Sequence, residues 1–288
     1  MSFSFWKLSL PAAALLLLPL AARADGHFDR TLSTGGTPDV YVSTGSGNIR
    51  VHPSNSTQVE IHAHVHAGWS FSHDVDERIQ RIIANPPIVQ DGNTIRIGES
   101  DDHDLFNNIS IDYELDVPAG AALNLRSGSG DEEIDSVGRY LKAASGSGNV
   151  RAHGLRGPAE LSSGSGDIEL EEQGQGNVIA RSGSGNVRIH GLNGSLDAKT
   201  GSGDIEVDGT LTGPAKLQSG SGNIRLHLQN DVHFTLEAAT GSGDIRVNYP
   251  GAPQQNDENR HHLTGPVNGG GAPLEVRTGS GDIEISPR

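Results

Sequence analysis

The tetrapeptide Gly-Ser-Gly-Asp or Gly-Ser-Gly-Asn begins at Gly45, Gly128, Gly146, Gly164, Gly183, Gly201, Gly220, Gly241 and Gly279. From Gly128 to Gly241 the steps are 18, 18, 19, 18, 19 and 21 residues. A flexible linker has no reason to keep register, whereas a fixed period of this length marks a solenoid whose turns stack. The step of 38 residues from Gly241 to Gly279 spans two periods, so one turn there is expected to lack the motif.

Each period reads as two short strands around a corner. Apolar residues sit five and three positions before the first Gly, with Ser or Thr one before it, as in Leu196, Ala198 and Thr200. Beyond the Asp or Asn, apolar residues fall at the first and third positions, as in Ile168/Leu170 and Val187/Ile189. Both patterns have period two, so these are strands with one buried face. The corner glycines are expected to adopt positive φ. The leading apolar pairs alternate in size (Leu141/Ala143, Ala159/Leu161, Leu196/Ala198, Ala215/Leu217), which suits large beside small in a stacked core.

The outward positions alternate in chemistry. One kind of turn carries Asn149/Arg151/His153, Asn186/Arg188/His190 or Asn223/Arg225/His227, and Asn48/Arg50/His52 has the same form. The other carries Asp167/Glu169/Glu171 or Asp204/Glu206/Asp208. Parallel stacking in register sets Arg188 between Glu169 and Glu206, His190 between Glu171 and Asp208, and Asn186 between two Asp carboxylates. That arrangement removes like-charge repulsion and adds cross-strand pairs of roughly 0.2–1 kcal/mol each. Antiparallel hairpins would pair other positions, so the sequence predicts an all-β chain, a parallel β-helix with turns of about 18–19 residues.

Outside the repeats the pattern loosens. Residues 1–24, with Lys7, an apolar run and Ala22-Arg23-Ala24, read as a secretory signal peptide cleaved before Asp25. Residues 25–120 read as the N-terminal cap region of the solenoid. Within them Val75, Ile79, Ile82 and Ile83 have helical spacing and stop at two prolines, giving one short amphipathic helix. Residues 121–249 are the repeat solenoid, 250–272 a Pro/Gly/Asn-rich loop, and 273–288 a final turn, with 25–288 as one domain.

Charge narrows the partners. The chain has a net charge of −15. Setting aside residues 1–24 removes two bases, Lys7 and Arg23, and no acid, so 19 basic residues face 36 acidic ones. Such a chain is repelled by nucleic acid and by anionic lipid. With no cysteine, an exported chain must be held together by packing and backbone pairing or by a bound ion. No apolar run after residue 24 is long enough to insert in a membrane.

"SIDYELDVPAGAALNLRSGSGDEEI", the recurring "SGSG[D/N][I/V]" and the closing "TGPVNGGGAPLEVRTGSGDIEI" resemble a bacterial putative-adhesin domain family of unknown function, related to autotransporter adhesin head domains. The resemblance runs from about residue 40 to the end. It implies a right-handed parallel β-helix in the periplasm, envelope or cell surface, and it carries no catalytic residues.

Three sites come up for a ligand. The strand bearing His62, His64 and His66 has an H-x-H pattern suited to zinc or copper, with Glu60 or His73 as a further ligand; solvated histidines on a strand face are the plain alternative. Calcium between the acidic turns is the second, against a solvated charge ladder. Exposed apolar residues near Trp69 or in the loop 250–272 are the third. His153, His190 and His227 beside carboxylates could also make the ladder pH-sensitive. A dinucleotide site fails, because Arg151, Arg188 or Arg225 stands where the third glycine belongs. The acids follow the repeat and have an architectural explanation, so no enzyme is expected. The reading is an exported, non-catalytic, adhesin-like protein with an unidentified surface, glycan or protein partner. An envelope structural or sensing module is the alternative, and a calcium- or metal-dependent binder the second.

Overall fold

The computed structural model describes residues 25–68, 73–102, 104–254 and 260–288. The segment 1–24, Trp69 and the side chain of His73 lie outside them. All described strands join one 22-stranded mixed sheet that is nearly closed, solenoid-like, around a single apolar core. The one helix among the described residues, His73–Ala84, stops before Pro86 and Pro87 as its pattern predicts, and it buries Val75, Ile79 and Ile82.

The repeats stack residue on residue. After the corner, Ile168 lies beside Val187, Val187 beside Ile205 and Ile205 beside Ile224, all in parallel pairing. Before the corner, Leu141, Ala159, Val178, Leu196 and Ala215 form the matching column. Large beside small holds at Leu141/Ala159 and Leu196/Ala215 but not where Val178 meets Leu196. The period-two pattern places Ile49, Val150, Ile168, Val187, Ile205, Ile224 and Ile283 fully inside.

The corner glycines have a different cause from the one expected. Positive φ occurs at Gly154 (68°) and Gly191 (74°), where the outgoing strand bends, and not at the Gly-Ser-Gly corners. Those corners need glycine because they sit directly on one another: a Cβ on Gly148 would strike the carbonyl of Gly130 in the next turn. The Ser or Thr before each corner ties the stack together. The Ser145 hydroxyl accepts the Gly148 N–H at 2.8 Å and donates to the Gly130 carbonyl at 2.9 Å. Ser127, Ser163, Ser182, Thr200 and Ser219 repeat this pair of bonds.

Both ends depart from sequence order. The 38-residue step does not hide a motif-less turn. Phe234–Thr240 and Ile245–Val247 form the outermost rung, and the chain returns so that Ala272–Thr278 and Ile283–Pro287 slot in beneath them. The last turn in sequence is thus sandwiched between its predecessors. Part of the loop 250–272 is itself a strand, His262–Val267, antiparallel to Phe234–Thr240 at the edge. The N-terminal end mirrors this. Asp39–Thr44 and Ile49–Ser54 lie between Ala122–Ser127/Glu132–Asp135 on one side and Thr94–Ile97/Ile109–Pro118 on the other. Beyond them Asp25–Ser33 and Gln58–Ala67 add antiparallel strands under the helix. Residues 39–54 are therefore a regular parallel rung within the stretch 25–120.

Candidate functional site

The outer face carries an unbroken row of alternating charge. Across the sheet it runs Asp29, His62, Glu114, Arg50, Glu133, Arg151, Glu169, Arg188, Glu206, Arg225, Glu284 and Arg246. Arg188 sits between Glu169 and Glu206 as its period predicts, yet its guanidinium reaches Asp167 at 3.7 Å. Arg151 and Arg225 likewise lean toward Asp131 and Asp204. These are half-exposed pairs, each worth about 1 kcal/mol or less.

Two further rows flank this one. Asn186 N–H donates to Asp167 Oδ1 at 2.7 Å, and Asp204 N–H donates to Asn186 Oδ1 at 2.9 Å. The same bond recurs from Asp112 to Asp282. One side-chain oxygen of each Asp and Asn in this row is therefore engaged by a backbone amide of the next rung. In the histidine row, His190 Nδ1 lies 2.6 Å from Asp208 Oδ2 and His153 lies 3.7 Å from Glu171. Partial burial works to raise the Asp208 carboxyl, but hydrogen bonds from His190 and the Gly191 N–H, with Arg288 nearby, hold it below its ordinary value.

The H-x-H strand is divided among different partners. His62 Nδ1 lies 2.7 Å from Asp29 Oδ1, and that hydrogen bond raises the imidazole above its ordinary value against the effect of burial. His64 stacks between His27 and His66. His66 sits between Asp112 at 3.1 Å and Asp25 at 3.5 Å. Only His62 joins a convergent donor set: its ring and the carboxylates of Glu60 and Asp116 place one ligand atom each within 4.8 Å of one another.

Two acids escaped the sequence reading. Glu132 occupies the inward position that Ile49 and Val150 hold in the adjoining rungs, and it is fully buried. Neither carboxyl oxygen has a hydrogen-bond partner within ordinary geometry, and desolvation pushes the group up to about 8. Burial thus favours the neutral form of Glu132. Glu172, also buried, accepts the Asn193 N–H at 3.0 Å and is pushed up to about 7 by desolvation. The signal for Glu132 was an acid at a position otherwise Ile or Val.

The opposite column carries an aromatic groove. Tyr41 and Tyr140, each 36–37% exposed, flank a shallow groove of about 250 Å³ lined by Asn124, Asp39 and Arg139. Arg139 pairs with Asp39, and the guanidinium of Arg96 lies 4.8 Å over the Tyr41 ring. Beyond Tyr41 and Asn124 the surface continues into a smaller dip with Glu99 and Arg126. Exposed aromatic faces beside amide and guanidinium donors can stack on and hydrogen-bond a polar ligand. Sequence reasoning looked to Trp69 and the loop 250–272, and missed this groove because its two sides are far apart in the chain.

No helix among the described residues is long and apolar enough to cross a membrane. No curated protein matches the chain. Among solved structures, a putative adhesin from Bacteroides fragilis is similar at 14% identity and a TM-score of 0.50, over 90% of this chain and 97% of that one. A putative lipid binding protein from Parabacteroides distasonis is similar at 15% identity and a TM-score of 0.43, over 91% and 96%. At such identity the likeness to the Bacteroides protein speaks for the fold alone. The family model described as Toastrack DUF4097 matches residues 39–286, from the sandwiched N-terminal rung to the sandwiched C-terminal one. With nearly every rung inside that span, the chain belongs to the Toastrack DUF4097 family.

Proposed function

We propose that the protein is an exported, non-catalytic β-solenoid of the cell surface or envelope that holds a glycan in the groove between Tyr41 and Tyr140. The observation that carries this reading is the pairing of two half-exposed tyrosines with Asn124 and Arg139 on an otherwise polar surface. The names of the similar structures accord with a binding role. The signal-like segment 1–24 supports export, and the in-register parallel rungs support a right-handed β-helix, the hand that parallel crossovers favour. A catalytic role has little to work with. The outer carboxylates are largely paired across rungs, and Glu132 faces the apolar interior.

An array of glycans, cell-wall fragments and matrix proteins tests the proposal, using the purified protein beside Tyr41→Ala and Tyr140→Ala variants. A saturable glycan hit is expected on the parent, weakened several-fold in each variant, since an aromatic contact is worth about 1 kcal/mol or more. A hit on a matrix protein would move the partner class. No hit, from protein whose circular dichroism is that of folded β-structure, would favour the second reading. That reading is an envelope structural or sensing module, and the self-satisfied Ser/Thr and Asp/Asn ladders speak for it.

A further inference from the structure

Two strands of the N-terminal cap, Gln58–Ala67 and Ile109–Pro118, put Glu60 directly opposite Asp116 in antiparallel register. Like charges at that separation destabilise a sheet, and elsewhere the fold answers the problem with arginine. Asp244 and Asp282 are bridged by Arg246 at 2.7 and 3.5 Å. Glu237 and Glu275, also opposite one another, are bridged by Arg277 at 2.6 and 2.9 Å. At Glu60 and Asp116 the group that completes the cluster is a ligand-type side chain, His62, with His52 facing Asp116 from the far side.

The imidazole is set up for ligation. Its Nδ1 is held by Asp29 at 2.7 Å on the neighbouring strand, which leaves the Nε2 lone pair available. A carboxylate behind a histidine is the usual way a metal-binding ring is fixed in tautomer and orientation. Three donors from two hydrogen-bonded strands, with one ligand atom each inside 4.8 Å, need little rearrangement to close on an ion. One imidazole nitrogen with two carboxylates suits zinc, with water completing the tetrahedron. Calcium prefers an all-oxygen shell. His64 and His66 have other neighbours and are not part of the cluster.

We propose that Glu60, His62 and Asp116 form a divalent zinc site that replaces the bridging arginine used at the other acid–acid rungs and clamps the antiparallel cap strands to the solenoid. The proposal does not depend on the glycan reading.

Titration calorimetry with zinc chloride in a non-chelating buffer tests it on the purified protein, its folding checked by circular dichroism. One saturable zinc is expected. His62→Ala and Asp116→Asn should weaken it at least tenfold, Asp29→Asn by about ten- to a hundredfold as a supporting residue, and His64→Ala not at all. Should Asp116→Asn fail to fold, Glu60→Gln takes its place. Excess zinc should also raise the melting temperature of the parent but not of His62→Ala. Absence of saturable zinc, equal affinity for calcium, or loss of binding in His64→Ala with Asp116→Asn unaffected would each overturn the site, the last by assigning the metal to the H-x-H imidazoles.

Discussion

Glu132 stands in a column built for Ile and Val, and its chemistry sets a pH dependence on the whole stack. In the unfolded chain its carboxyl titrates at the ordinary 4.5, whereas in the folded protein it is pushed up to about 8. Below 4.5 both states are protonated and the group is neutral toward stability. As pH rises from 4.5 to 8 the unfolded chain loses the proton and the folded one keeps it, so folding weakens by up to about 1.4 kcal/mol per pH unit. Above 8 the deficit is constant. Glu132→Ile removes the linkage and restores the residue type of the neighbouring rung. Urea denaturation at pH 5 and pH 8 should show the variant more stable than the parent, by a margin several-fold larger at pH 8. An equal margin at both values would mean that the carboxyl is solvated or paired. Glu172, with one oxygen bonded to Asn193, should add a smaller deficit of the same sign that grows from pH 4.5 to about 7 and is constant above it.

At the scale of strands, the alternating row explains an order of stacking that connectivity does not. Read along the chain, the outward residues at the C-terminal end run Arg225, Arg246, Glu284. Stacked in that order the first two would repel. Placing the last turn inside gives Arg225, Glu284, Arg246, and the N-terminal end likewise becomes Glu114, Arg50, Glu133. The information was therefore present in the sequence, but reading each motif beside its sequence neighbour concealed it. The corners, the inward columns and the helix were legible because their signals are local: a fixed period, alternation, and Val75, Ile79 and Ile82 on one helical face. The Tyr41–Tyr140 groove and the Glu60–Asp116 pair were not, because each depends on which distant strands become neighbours. The charge argument has a direct test. Glu284→Arg should destabilise the protein by about 1–2 kcal/mol by reversing two cross-strand pairs, while Glu284→Gln should cost about half as much. High salt should recover part of the arginine variant's loss, as half-exposed charges are screened. Equal losses in both variants, insensitive to salt, would show that the row does not select the order.

The whole molecule behaves as a stack in which each rung contacts only its neighbours, so stability is close to a sum of rung and interface contributions. In a solenoid wound in sequence order, trimming the terminal turn exposes one interface and leaves the rest intact. Here the terminal turn, residues 272–287, is an interior rung. It contacts Ala215–Ser219 and Ile224–Leu228 below and Phe234–Thr240 and Ile245–Val247 above. A chain ending at Gly271 would uncover both faces at once, with Leu226 and Leu217 on one side and Leu236 and Ala238 on the other. Amide hydrogen exchange separates the two cases. Removal of an end turn would speed exchange on one adjoining rung, whereas the sandwiched arrangement predicts loss of protection in both 224–228 and 234–240, with residues 141–189 unaffected. Were 234–247 to settle directly on 215–228, bringing Arg246 against Arg225, protection in both segments would survive and the ordering role of the charge row would fall with it. The outcome therefore reads out at once how the ends are built and whether the outer charges hold them in that order.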